Sequence, residues 1–61
     1  MQASIKIEMG NAAFEQDPAG ELARILRDLA DKLEDRGVSV GNSIKLSDFN
    51  GNTVGSAEVT K

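Results

Sequence analysis

Between Asp17-Pro18 and Gly37, the apolar residues Leu22, Ile25, Leu26, Leu29, Ala30 and Leu33 follow the spacing i, i+3, i+4, i+7, i+8, i+11. This is the single stripe of an amphipathic helix. Asp17 can cap the free N–H groups of a first turn, and Pro18 fits inside that turn because its missing donor is not needed there. Glu21 adds negative charge near the positive end of the helix dipole. The spacing predicts a helix over 18–36, ended by Gly37. Arg24, Arg27, Asp28, Asp31, Lys32 and Asp35 cover the other side. There Arg24–Asp28, Arg27–Asp31 and Asp28–Lys32 are opposite charges four apart, each contributing about 0.2–0.5 kcal/mol. One helix cannot bury its own stripe, so the rest of the chain must supply the surface that covers it.

The segment ASIKIEM supplies part of that surface. Ala3, Ile5, Ile7 and Met9 alternate with Ser4, Lys6 and Glu8, the period-two pattern of a strand with one buried and one wet face, predicted over 3–9. In the following loop, GNAAFEQD, Phe14 is expected to fold back over one end of the core. After VSVGNS, an ambiguous stretch read as a connection, Ile44 and Leu46 alternate with Ser43, Lys45 and Ser47. Gly55, Ala57 and Val59 alternate with Ser56 and Glu58. Hairpin strands are predicted over 43–48 and 53–60.

Asn50-Gly51 between two alternating runs is a strong hairpin signal. An even-length turn pairs Ile44 with Ala57, Leu46 with Gly55 and Lys45 with Ser56, which leaves only Val54 on the wrong face. A three-residue loop would instead bring Val54, Ser56 and Glu58 beside Ile44 and Leu46, burying a carboxylate, because a one-residue slip exchanges the faces of a strand. The even-length register is therefore expected.

Asp48, Asn50 and Asn52 stand at alternate positions, as the first ligands of a calcium loop do. In the pattern D-x-[DN]-x-[DN]-G-x5-E, however, the sixth position is occupied by Thr53 instead of glycine. The twelfth is Val59 instead of glutamate, with Glu58 one place early. Without the bidentate carboxylate most of the cation's charge compensation is missing. The stretch reads as a hairpin tip, and no metal or cofactor is expected.

At 61 residues the chain makes one domain, residues 1–61, able to bury only about 60% of its unfolded surface. It has no cysteine, so neither disulfides nor a thiolate zinc site can staple it. No apolar run approaches the roughly 18 residues a membrane span needs, and the alternating start does not look like a secretory signal. A soluble intracellular protein is expected. Seven Lys and Arg against ten Asp and Glu give a net charge of −3. The basic residues are scattered, and Phe14 and Phe49 are the only aromatic side chains, which argues against binding nucleic acid. Histidine, cysteine, tyrosine and tryptophan are all absent, and no glycine-rich phosphate loop occurs. Asp31 and Asp35 share a helix face but lie on its solvated side. The chain is not expected to be an enzyme.

The order strand, helix, strand, strand implies an α+β fold: a single β-α-β-β domain with one helix on one face of a three-stranded sheet. A helical crossover makes the first two strands parallel, and the hairpin reverses the third. With the third strand in the middle the sheet is fully antiparallel in order 1-3-2, and Gly55 and Ala57 allow the helix to approach closely. The alternative sets strand 1 beside strand 2. Either sheet has two open edges, which can take a partner's strand or a second copy of the chain.

IKIEMGNAAFEQDPAGELARILRDLADKLEDRG followed by KLSDFNGNTVGSAEV resembles a set of small uncharacterised proteins encoded by bacteriophages and prophages. The similarity runs through NAAF, ELARILRDLADKLE and the D-x-NGN-x-VG tip, nearly the whole chain. It implies a bacterial cytoplasmic setting and carries no established activity. Small phage accessory proteins without catalytic residues often bind a host protein, including components of host defence. The functional expectation is a noncatalytic module that binds a host or phage protein through candidate contacts Phe14, Phe49, Asn50 and Val54. The alternative is a structural or self-assembling homodimer joined through an open sheet edge.

Overall fold

A computed structural model describes all 61 residues. Strand β1 runs Gln2–Ile7, a 3₁₀ turn follows at Ala12–Phe14, helix α1 spans Pro18–Arg36, and the hairpin strands are β2, Ser43–Ser47, and β3, Thr53–Thr60. The sheet order is β1-β3-β2 and every pairing is antiparallel. This is the α+β arrangement that the alternation implies, and the parallel placement of β1 beside β2 does not occur. β1 is shorter than its apolar alternation, although pairing reaches one residue further through the Glu8 N–H, which donates to the Val54 carbonyl at 2.8 Å.

α1 begins where its residues dictate. Asp17 Oδ1 accepts the Gly20 N–H at 3.0 Å, satisfying one of the free donors of the first turn while Pro18 has none to satisfy. The stripe that meets the sheet is narrower than the periodicity suggests. Ile25 and Leu29 are buried with Glu21, and Leu22 and Leu33 are half-buried, but Leu26 remains 40% exposed and Ala30 is open to solvent. The helix sits closest to β2, one edge of the sheet, so only one flank of its stripe finds a partner. Of the three ion pairs expected on its polar side, only Lys32–Asp28 forms, at 3.1 Å.

The core gathers Ala13, Phe14, Ile25, Leu29, Ile44, Leu46 and Val54, with Ile7, Leu33 and Ala57 packed at its margin. Phe14 is 3% exposed. It therefore closes the core and is not available as a partner contact.

In the hairpin, Ile44 pairs with Ala57, Lys45 with Ser56 and Leu46 with Gly55, as an even-length turn requires. The turn itself is odd. The Asp48 N–H donates to the Asn52 carbonyl and the Gly51 N–H to the Asp48 carbonyl, which encloses the three residues Phe49, Asn50 and Gly51. Gly51 takes φ +87°, a conformation that side chains disfavour. The register changes between Leu46 and Ser47, because Ser47 pairs with Thr53 while Leu46 pairs with Gly55. Val54 is the extra residue of the resulting β-bulge. The bulge cancels the odd loop, keeps Glu58 exposed and turns Val54 inward to 7% exposure. Val54 is thus a core residue, not the outward-facing contact expected from simple alternation.

Gly55 is needed for a different reason than the one expected. A Cβ there would run into the Lys6 carbonyl and crowd Ile7 Cα at 3.0 Å. The close neighbour is the backbone of β1, not the helix.

Candidate functional site

The hairpin tip, the 3₁₀ turn and the start of α1 converge at one end of the molecule through two buried carboxylates, Glu21 and Asp48. Asp48 organises the tip. Its Oδ1 accepts the backbone N–H groups of Asn50 and Asn52, both at 2.9 Å. Its Oδ2 accepts Asn11 Nδ2 at 2.7 Å and, more weakly, Asn52 Nδ2 at 3.4 Å. Asn11 in turn accepts the Ala13 N–H on its Oδ1 at 3.0 Å, which starts the 3₁₀ turn that delivers Phe14 to the core. Burial alone would raise the Asp48 pKa. The Asn52 N–H, the Asn11 amide, the Asn50 N–H and the Asn52 amide outweigh that burial and hold it below the ordinary aspartate value. The alternating oxygens of D-x-N-x-N therefore form an Asx-type turn with Asp48 as acceptor.

Glu21 ties the helix to the same tip. Its Oε1 accepts Arg24 Nε at 2.7 Å, and its Oε2 accepts both Arg24 Nη2 at 3.1 Å and the Phe49 backbone N–H at 2.9 Å. Arg24 Nη2 also donates to the Ser47 carbonyl at 3.0 Å, so Arg24 pairs with Glu21 one turn earlier instead of with Asp28. The hydrogen bond from Arg24 is the main cause that lowers the Glu21 pKa. Burial opposes it, and the Phe49 N–H adds to it. Both carboxylates are ionised and saturated with donors, an arrangement suited to holding structure and poorly suited to moving protons near neutrality.

The result is a tip whose four successive N–H groups, from Phe49 to Asn52, all donate inward. Above it the Phe49 side chain stands in solvent, 63% exposed. Phe49 borders an open depression of about 540 Å3, lined also by Ala12, Ala13, Glu15, Asp17 and Arg24. Of the four candidate contacts, the structure brings Phe49 and Asn50 to this surface and buries Phe14 and Val54. Sequence reasoning missed Glu21 and Arg24 as members of the site. Their spacing of three was visible, but nothing local tells a carboxylate near a helix start that a hairpin will close over it.

No helix is long and apolar enough to cross a membrane. Comparison with known proteins returns nothing: no family model, no curated protein and no solved structure matches this chain.

Proposed function

We propose that this chain is a noncatalytic protein-binding module that engages its partner through the hairpin tip, with Phe49 as the anchor. One observation supports the reading: an exposed aromatic ring sits on backbone whose neighbouring N–H groups are all bound within the fold. Aromatic anchors supply large contact area, and a loop already held in place loses little further freedom on binding. Asn50 at the apex presents polar atoms beside the ring. The depression next to it is lined in part by the carboxylates of Glu15 and Asp17, so the surface that fits is an apolar pocket with basic groups around it. In the phage or prophage setting that the sequence resemblance implies, the partner is a host or phage protein met in the bacterial cytoplasm, a component of host defence being one such target.

The test is a pull-down from bacterial lysate with the tagged chain and its Phe49→Ser variant, followed by mass spectrometry. The native chain is expected to retain one stoichiometric protein, and the variant to lose it while its circular dichroism is unchanged. Equal retention by the folded variant would remove the tip as the interface. Recovery of the tagged chain alone would remove the reading itself.

A further inference from the structure

β1 is the less protected of the two sheet edges. Every residue in it except Ile7 is exposed, because α1 lies over β2 at the opposite edge. Ile5 is 50% exposed although it faces the same side as the core, and it opens onto an apolar groove formed with Leu33 and Val38. Because the Glu8 N–H is directed at β3, alternation directs the backbone donors and acceptors of Ile5 and Ile7 outward, away from the sheet.

The segment Ile5-Lys6-Ile7-Glu8-Met9 is chemically symmetric about Ile7. Laid antiparallel against itself with Ile7 at the two-fold axis, it sets Ile5 opposite Met9, Lys6 opposite Glu8, and Ile7 opposite its own copy. The outward groups of Ile5 and Ile7 then fall at the hydrogen-bonded sites. The charged pairs fall at the narrower sites, where opposed Cα atoms are about 4.5 Å apart. Lys6 and Glu8 are exposed and take part in neither of the chain's own ion pairs. A shift of one step along the strand would set Lys6 against Lys6. β2 lacks this symmetry: centred on itself it opposes Lys45 to Lys45, and Arg24 already occupies the Ser47 carbonyl near its end.

We infer that a second copy of this chain pairs along β1, centred on Ile7, with Lys6 of each copy against Glu8 of the other, to give a continuous six-stranded antiparallel sheet. Both helices then lie on one face, and Met9 of each copy lies beside Ile5 of the other at the mouth of the apolar groove. The interface is isologous, so each favourable contact occurs twice. It goes beyond the tip reading and stands whether or not Phe49 anchors a partner.

Sedimentation velocity across a dilution series tests it with the native chain, Lys6→Glu, Glu8→Lys and an equimolar mixture of the two variants. The native chain is expected to pass from monomer to dimer with concentration. Each single variant opposes like charges twice, and its dissociation constant should rise by about tenfold or more. Mixed, they restore both ion pairs, so heterodimer should reappear with near-native affinity. Ile5→Pro, which removes an outward N–H without costing a β1–β3 hydrogen bond, should also remain monomeric, with circular dichroism confirming the fold of every variant. A native chain that stays monomeric throughout would overturn the inference. So would single-charge variants that dimerise as the native chain does, or a mixture that fails to associate.

Discussion

Glu21 Oε2 accepts the backbone N–H of Phe49 at 2.9 Å, so a carboxylate from the first turn of the helix holds the residue that displays the ring at the hairpin tip. Removing that carboxylate leaves the Phe49 N–H and Arg24 without their shared acceptor. Glu21→Ala is expected to lower the melting temperature by several degrees in a domain of this size. It should also bring the Phe49 amide to fast hydrogen exchange while the amides of the central strand stay protected. Glu34→Ala, at an exposed helix position, should do neither. Unchanged Phe49 exchange in Glu21→Ala would show that the tip holds its shape without the helix.

Acid should unfold the protein through the same two groups. The pKa values of Glu21 and Asp48 lie below their ordinary values in the folded chain. Their contribution is therefore complete above the unfolded carboxylate range and is lost as pH falls through the lower folded values. Thermal melts from neutral to strongly acidic pH should show a plateau that begins to decline as pH enters the ordinary carboxylate range and goes on falling below it. Asp48→Asn should be less stable at neutrality, because its amide would turn a donor toward Asn11, and its decline should be shallower. A native melting temperature that does not fall in acid would rule this out.

Gly55 and Gly10 form a matched pair of glycines. An added Cβ at Gly55 meets the β1 backbone, whereas at Gly10 nothing lies within 4 Å. Gly55→Ala is expected to cost about 1–3 kcal/mol in denaturant unfolding, the range of an overpacked site. Gly10→Ala should stay within about 0.5 kcal/mol. Equal effects would mean that β1 yields easily.

The phase of α1 can be checked in the same way. Leu29 is buried and Leu26 is 40% exposed. Leu29→Ala should cost about 2–5 kcal/mol, enough to leave a domain this small largely unfolded, while Leu26→Ala should cost less than about 1 kcal/mol. Comparable losses would place the helix in a different rotation over the sheet.

The cross-strand pairs Ile44–Ala57 and Leu46–Gly55 were legible because a strand has only two faces, and one choice buried Glu58. The capping of α1 was legible because Asp17 and Pro18 act within a single turn. What escaped depends on contacts distant in sequence. Glu21 looked like a dipole residue until the hairpin supplied the Phe49 N–H, and the alternating Asp48, Asn50 and Asn52 gave no sign that Asn11 would join them. Alone in its loop, Phe14 can serve either as a plug or as a contact, and packing decides for the plug. Periodicity places Leu26 and Ala30 in the helix stripe because it does not say how far to one side of a sheet a helix will lie. Val54 on the wrong face was itself the trace of the bulge, visible as a misfit without its cause.

The odd loop at Phe49–Gly51 and the bulge at Val54 behave as two compensating frameshifts. Either alone would invert every side chain of β3 beyond it, exposing Ala57 and Val59 and burying Glu58; together they restore the reading of the strand. Loop length at the tip and the extra residue in β3 therefore form one unit. Were the loop to widen to the four residues 49–52, with Asp48 against Thr53, Leu46 would stay opposite Gly55 only by losing the bulge, and Val54 would turn outward beside Ser47.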